Sequence, residues 1–136
     1  MPSVSVDRTY GKTKKAVLDG LKAYNKEQWG RQKYKRFAVS LRNGEQIVGG
    51  VVGEMWSTVL FIQYFWIEQA YRGKRHGRKL LAAIEDEARK FGATRSYLDT
   101  MSFQAPGFYS TSGYKKFGVI DGYPDDVTRH WFMKAL

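Results

Sequence analysis

The amino-acid sequence predicts a single α/β domain built on a mixed β-sheet. A long β-branched and aromatic segment at 58–67 is followed by a basic turn, an amphipathic helical segment and a further strand at 95–100. Such a strand–helix–strand unit places its two strands parallel. An Asn43-Gly44 turn between two apolar segments is typical of an antiparallel hairpin. With two closing strands, we expect a central twisted sheet of about six to seven strands with helices on both faces.

The first half of the chain alternates helical and strand patterns. Residues 13–24 have apolar side chains at helical spacing, with Thr13 as the expected N-cap. Residues 28–36 are polar and basic and fit either a short helix or an irregular segment. The hairpin is expected to pair 37–41 with 46–52, and the strand at 58–67, apolar on both faces, is expected at the sheet centre.

The second half begins with the clearest helix of the sequence. Residues 77–91 carry one apolar stripe with charges opposite, and Gly92 follows as the expected C-cap. After the strand at 95–100, the patterns predict a short helix at 105–111 and closing strands at 114–120 and 129–136.

Length and composition exclude several classes of protein. A chain of 136 residues supports one domain, 1–136, with a single core. With no cysteine, the chain has no disulfide, thiolate metal site or cysteine nucleophile. No segment approaches the roughly 18 apolar residues of a membrane span, and the sequence begins with no signal peptide. We therefore expect a cytoplasmic protein with no membrane partner.

The net charge of +10 predicts a polyanionic partner, and its distribution is uneven. Residues 1–53 hold 11 basic and 4 acidic side chains, whereas residues 71–79 hold five basic and none acidic. The second segment lies between a strand and a helix, where main-chain N–H groups and the helix dipole bind phosphate. A tight turn with solvated cations is the alternative. The spacing matches neither Gly-x-x-x-x-Gly-Lys-Ser/Thr nor Gly-x-Gly-x-x-Gly.

Residues 66–81 resemble the acetyl-CoA-binding motif of the GNAT superfamily of N-acetyltransferases, Arg/Gln-x-x-Gly-x-Gly/Ala. Arg72 and Gly77 occupy its first and last defined positions. The resemblance continues through Leu98-Asp99-Thr100, residues 104–109 and residues 112–118, which match the family's Phe-Tyr-x-x-x-Gly-Phe/Tyr segment. It implies an acyltransferase that moves the acetyl group of acetyl-CoA directly to a primary amine in a ternary complex.

The resemblance also implies which residues bind the cofactor. The loop amides and the helix start would hold the CoA pyrophosphate, and the main chain at Trp66 and Ile67 would pair with the pantetheine arm as an added strand. The family usually has a glycine where this chain has Arg75, whose Cβ disfavours positive φ. The implied pyrophosphate residues are Arg72, Gly73, Lys74, Arg75, His76, Gly77 and Arg78. Residues 58–100 would form the acetyl-CoA-binding core and 1–35 a helical acceptor-side region.

Tyr109 matches the tyrosine that protonates the departing CoA thiolate in many family members. A phenol with a pKa near about 10 stays protonated at neutral pH and can donate to a thiolate whose pKa is about 8.5. The alternative for Tyr109 is a core tyrosine with a hydrogen-bonded hydroxyl. We expect oxyanion stabilisation from a main-chain N–H near Ile67.

The general base is less directly indicated. The family positions that carry a base match Phe61 and Gln63, and neither side chain accepts a proton. Glu54, at the end of the preceding strand, is the best carboxylate candidate. Other titratable candidates rank below it: Glu68, Asp99 and His130.

Metal binding has little support, because the two histidines, His76 and His130, lie far apart in sequence. An acidic turn contains Asp121, Asp125 and Asp126. Its charges are either solvated or attract a cationic amine.

The acceptor amine is left open. Because the N-terminal third is basic, an amine carried by nucleic acid, such as aminoacyl-tRNA, is an alternative acceptor, though not the favoured one. Since both usual base positions lack a base, a non-catalytic CoA-binding module is an alternative function. A homodimer is also left open.

Overall fold

The computed structural model describes all 136 residues, which form two compact units, Met1–Gln32 and Lys33–Leu136. None of the helices is long and apolar enough to cross a membrane. The α-helices are α1 (Tyr10–Trp29), α2 (His76–Lys90) and α3 (Pro106–Thr111). The strands are β1 (Tyr34–Asn43), β2 (Gln46–Trp56), β3 (Val59–Ile67), β4 (Arg95–Met101), β5 (Lys115–Ile120) and β6 (Arg129–Ala135).

The first unit consists of an extended segment and α1, which is longer than the sequence predicts. The helix begins after Thr9, whose backbone is extended, and ends before Gly30 at φ 77°. Thr13 is therefore not the N-cap; it lies inside the helix, and its hydroxyl donates to Asp7 Oδ2 at 2.5 Å. Of the two alternatives for 28–36, the separate short helix is wrong, because α1 continues through Trp29. Residues 30–33 are irregular, and β1 begins at Tyr34. None of the α1 side chains is buried.

The second unit contains a six-stranded sheet in the order β1-β2-β3-β4-β6-β5. Only β3 and β4 are parallel, and every other neighbouring pair is antiparallel. The prediction of a mixed α/β sheet with a parallel strand–helix–strand unit is confirmed. The Asn43-Gly44 hairpin is confirmed as well, since Asn43 pairs with Gln46 and Gly44 has φ 62°.

Helix α2 packs its predicted apolar stripe on one face of the sheet, where Leu80, Leu81, Ile84 and Ala88 are buried. Helix α3 packs in the same core through Tyr109. The C-cap of α2 is one residue earlier than expected, at Phe91, and Gly92 follows at φ 95°.

A buried polar network ties α2 to the sheet. The Tyr114 hydroxyl donates to Glu85 Oε2 at 2.7 Å and lies 2.8 Å from Ser96 Oγ. Lys134 Nζ is 3.0 Å from Glu85 Oε1, and the Glu85 side chain is only 5% exposed. Because each buried polar group has a partner, the carboxylate is accommodated inside the core.

A β-bulge changes which side chains of β3 face the core. Val52 of β2 pairs with Tyr64, whereas the next residue, Gly53, pairs with Ile62, so Gln63 is the extra residue. The alternation shifts by one at this point. Ile62 before the bulge and Phe65 after it therefore both contact the core.

Candidate active site

A cleft opens where the parallel strands of the sheet separate. The β3–β4 pairing runs from Val59–Arg95 to Ile62–Leu98 and stops there, although β3 continues to Ile67 and β4 to Met101. The bulge at Gln63 bends β3 at the same level. The result is a cavity of about 1140 Å³ lined by both strands, by the loop before α2 and by α3.

The cationic end of the cavity is the loop before α2. Arg72 Nε donates to the Ile67 carbonyl at 2.8 Å, which fastens the loop to the end of β3. Gly73 and Arg75 both have left-handed backbone, at φ 76° and 65°. Such turns point successive N–H groups into one concavity. Arg75 is the N-cap of α2 and provides no side-chain cap, so the first N–H groups of the helix remain available to an anion.

Two residues of this loop meet different steric demands. Arg75 adopts the positive φ that its Cβ disfavours, so the departure from the family glycine leaves the loop conformation in place at a cost in backbone strain. At Gly77 the constraint is close approach, because an added Cβ would lie 3.3 Å from the Phe108 ring. A larger residue there would push α3 away from the loop.

Tyr109, on α3, lines the cavity. Its ring packs against Phe65, Phe108, Tyr114 and Phe132 at centroid distances of 5.2–6.3 Å, and the residue is 7% exposed. Its hydroxyl makes no hydrogen bond within the chain. Burial, and secondarily the negative charge of Asp99, raise the pKa of Tyr109 to about 12. Tyr109 is thus a packed residue whose proton stays in place at neutral pH.

The carboxylates considered as bases occupy different places. Glu54 pairs with Phe61 across β2 and β3, accepts the Tyr34 hydroxyl at 2.5 Å and lies outside the cavity lining. That bond raises the pKa of Tyr34. Glu68 also lies outside the lining, whereas Asp99 is part of it.

Histidine 130 is not part of the cavity either. His130 Nε2 is 2.7 Å from Thr128 Oγ1, and its buried Nδ1 has no hydrogen-bond partner. No group of three or more His, Cys, Asp or Glu side chains is placed to hold a metal ion.

Comparison with known proteins identifies the family. The sequence pattern of the acetyltransferase (GNAT) family matches residues 6–114. This chain belongs to the GNAT family. An acetyltransferase of Agrobacterium fabrum is 32% identical over the full length of both chains. The blasticidin-S acetyltransferase of Streptomyces morookaense is 37% identical over 67% of this chain and 68% of its own.

Solved structures agree with the GNAT assignment. The crystal structure of an acetyltransferase from Bacillus cereus has a TM-score of 0.90 at 29% identity, covering 98% of each chain. A Bacillus anthracis protein described as a streptothricin acetyltransferase, solved with acetyl coenzyme A, shares the fold. Its TM-score is 0.65 at 20% identity, over 74% of this chain and 62% of its own. The predicted family, the acyltransferase class and the use of acetyl-CoA are confirmed.

Within this GNAT chain, the cavity collects most of the residues predicted to bind the cofactor. Lys74 does not line the cavity, whereas the other eight do: Trp66, Ile67, Arg72, Gly73, Arg75, His76, Gly77 and Arg78. Their assignment to acetyl-CoA stays a prediction.

Among the cavity residues that have no role predicted from the sequence, Thr100 and Gln104 are joined by a hydrogen bond. Gln104 Oε1 accepts the Met101 N–H at 2.7 Å and the Thr100 hydroxyl at 3.2 Å, which closes the segment after β4. Thr100 and Gln104 both line the cavity. Nothing local in the sequence marks either residue, because β4 contains several other polar side chains.

Proposed function

We propose that this GNAT acetyltransferase is an N-acetyltransferase that moves the acetyl group of acetyl-CoA directly to a primary amine in a ternary complex. The observation that carries the proposal is one continuous cavity. It runs from the arginine-rich loop before α2, past Tyr109, to the segment after β4. A donor and an acceptor can therefore meet beside Tyr109 without a carrier residue. With no cysteine in the chain, a thiol acyl-enzyme has no nucleophile.

The cofactor would lie along β3, with its phosphates on the loop. Glu68 N donates to the Val48 carbonyl, and the Trp66 carbonyl is directed to Gly49 of β2. Since successive residues of a strand point their N–H and C=O groups to opposite edges, Phe65 and Ile67 present theirs to the cleft. We therefore propose the main chain of Phe65 and Ile67 as the pantetheine partner, with Phe65 in place of the predicted Trp66, which lines the cavity. The Ile67 carbonyl also accepts from Arg72 Nε.

When bound, acetyl-CoA supplies the thioester carbonyl that the amine attacks and the sulfur leaving group. Tyr109 holds its proton at Oη for that sulfur. With a pKa of about 12 against about 8.5 for a thiol, full proton transfer is uphill by about 5 kcal/mol. We therefore assign Tyr109 chiefly a hydrogen-bond donor role that strengthens as charge develops on sulfur.

For the base, Glu54 stays the proposed group, acting through a water molecule. Burial raises the pKa of Tyr97, and the negative charges of Glu54 and Asp99 raise it further. Both carboxylates therefore act on the same side chain, on the sheet face opposite α2. From its place beside Tyr34, Glu54 could receive a proton from the acceptor only over a water bridge.

The test is release of thiol from acetyl-CoA with a panel of primary amines. Amine-dependent release, with intersecting lines in double-reciprocal plots, is expected. Parallel lines together with a trapped acetyl-enzyme contradict direct transfer. Acetyl-CoA binding without thiol release for any amine supports a non-catalytic module.

An amine borne by nucleic acid is a second acceptor class. Residues 1–32, within the region predicted to face the acceptor, carry seven basic and three acidic side chains. A relative named for blasticidin S favours a small-molecule acceptor instead. A steep loss of acceptor affinity with rising salt supports the nucleic acid.

A further inference from the structure

Asp99 is the only carboxylate that lines the cavity. The cavity lining also includes the guanidinium side chains of Arg72, Arg75 and Arg78, all at the loop end. We propose that Asp99 binds the ammonium group of the acceptor, so that the acceptors of this enzyme are cationic amines. The inference rests on the proposed function and names its substrate class. It concerns capture of the acceptor, which precedes acetyl transfer.

Asp99 stands where the two strands separate. It follows Leu98, the last β4 residue paired with β3. Its neighbours Leu98 and Thr100 are buried towards α2, so the Asp99 side chain projects from the opposite face. The side chain is 19% exposed. A partly desolvated carboxylate at the mouth of a cleft attracts a cation more strongly than one in bulk water.

Arg129 holds Asp99 in place and occupies only part of the hydrogen-bonding capacity of the Asp99 carboxylate. Arg129 Nε donates to Asp99 Oδ1 at 2.9 Å, and its guanidinium lies 4.8 Å from the centre of the Trp131 ring. A carboxylate accepts at about four lone-pair positions. The bond to Oδ1 leaves Oδ2 for a further donor. Arg129 is thus a positioning residue that fixes the direction of this oxygen.

Further negative charge lies on a turn that is joined to a segment lining the cavity. The turn between β5 and β6 carries Asp121, Asp125 and Asp126. This turn is joined to the segment after β4 by two bonds: Ser102 N donates to the Thr128 carbonyl at 2.7 Å, and Thr128 N donates to Ser102 Oγ at 3.1 Å. The joined segment continues into cavity residues Phe103 and Gln104.

The two ends of the cavity therefore have opposite polarity. One end presents arginines and main-chain N–H groups, which suit the phosphates of CoA. The other presents Asp99, whose Oδ1 is paired with Arg129 and whose Oδ2 suits a cation. Asp99 also acts electrostatically on Tyr109, since its charge contributes to the raised pKa of that phenol. An ammonium held at Asp99 is thus delivered close to the group assigned to the leaving sulfur.

The test measures binding of two amines and their neutral isosteres to the CoA-saturated protein at pH 7. CoA carries no acetyl group, so no transfer occurs. Benzylamine is compared with benzyl alcohol, and 1,4-diaminobutane with 1,4-butanediol, by titration calorimetry. A hydrogen-bonded charge pair corresponds to a preference of roughly ten- to a hundredfold for the amine. Asp99→Asn is expected to abolish this preference and Asp99→Glu to retain part of it.

Asp86→Asn is the matched control, because it removes one carboxylate from the exposed Arg89–Asp86 pair far along α2. It is expected to keep the wild-type preference. Equal binding of amines and alcohols by the wild-type protein overturns the proposal, whether or not the Asp99 variants fold. An undiminished preference in folded Asp99→Asn overturns it as well. Preferential binding of amines without any thiol release from acetyl-CoA supports a cation site at Asp99 and contradicts the proposed function.

Discussion

Ile62 of β3 and Leu98 of β4 are the last residues that pair these two parallel strands. Beyond them both strands continue without a partner at that edge, and main-chain groups of β3 face a cavity instead of a neighbour. A bulge in the adjacent pairing, at Gln63, coincides with the opening. The cavity therefore arises from the separation of two strands within the sheet rather than from a separate insertion.

Replacing Tyr109 by Phe is expected to lower kcat by about a hundredfold, because the leaving sulfur loses its hydrogen-bond donor. Acetyl-CoA affinity should stay the same, since the ring is retained. Steady-state kinetics and CoA titration measure the two effects. Tyr97→Phe, at a tyrosine stacked on Phe61 outside the cavity, is the control. Full turnover by Tyr109→Phe removes the proposed role.

Glu54→Gln tests the predicted base. If Glu54 accepts the amine proton through water, kcat falls by roughly a hundredfold and the rising limb of the pH–rate profile changes. Tyr34→Phe keeps the carboxylate and removes only its hydrogen-bond donor, so it should have a smaller effect. An unaltered pH–rate profile in Glu54→Gln assigns the deprotonation to another group.

Arg75→Gly is expected to relieve backbone strain, because the residue stands at φ 65° with no side-chain cap. A gain in the free energy of unfolding of up to about 1 kcal/mol should follow, partly offset by the freer unfolded chain. Gly73→Ala, at φ 76° with open space around its Cβ, should cost about 1 kcal/mol. Denaturant titration measures both changes.

CoA affinity in Arg75→Gly should fall less than about tenfold, as for loss of one exposed cation. Complete loss of CoA binding shows that the Arg75 side chain, and not the main-chain cradle, carries recognition.

Lys134→Met should destabilise the fold by roughly 3–5 kcal/mol, because it leaves the buried Glu85 carboxylate without its cation. Lys90→Met, which breaks the exposed Lys90–Glu87 pair, is the matched control and should have no measurable effect. Thermal and denaturant unfolding compare the two. Equal losses in both variants contradict the central place of the Glu85 network in stability.

Alkaline stability should depend on Tyr109. Its pKa in the folded chain is about 12 against about 10 in the unfolded chain, so the folded state favours the protonated phenol. The corresponding stabilisation of about 3 kcal/mol is fully present below pH 10 and is lost as the pH rises towards 12. Burial raises the pKa of Tyr114 as well, so that tyrosine contributes in the same direction.

Denaturation midpoints between pH 9 and 12 measure this dependence. Tyr109→Phe should flatten it, whereas Tyr10→Phe, at an exposed site, should not. If stability depends on pH in Tyr109→Phe as it does in the wild-type protein, the Tyr109 phenol titrates alike in the folded and unfolded states.

The local pattern of the sequence determined most of the fold. The spacing of apolar residues and the Asn43-Gly44 turn predicted the six strands and α2, because the type of each element depends on residues close together in the sequence. The strand–helix–strand unit at 58–100 predicted the parallel pair. The same logic failed at the end of α1, where the polar residues after Tyr24 gave no sign that the helix continues to Trp29.

The place of the basic loop between β3 and α2 was also predictable, since residues 72–77 come with one short motif, and the binding of CoA phosphates by their main-chain amides stays a prediction. The positions of the candidate carboxylates depended on tertiary structure. Glu54 and Asp99 are both carboxylates on strands, and sequence ranked Glu54 first. Strand register placed Glu54 opposite Arg36 and within reach of the Tyr34 hydroxyl. The separation of β3 from β4 after Leu98 placed Asp99 in the cavity. A carboxylate faces the cleft only if it lies where two strands distant in sequence stop pairing. Local sequence patterns do not indicate that position.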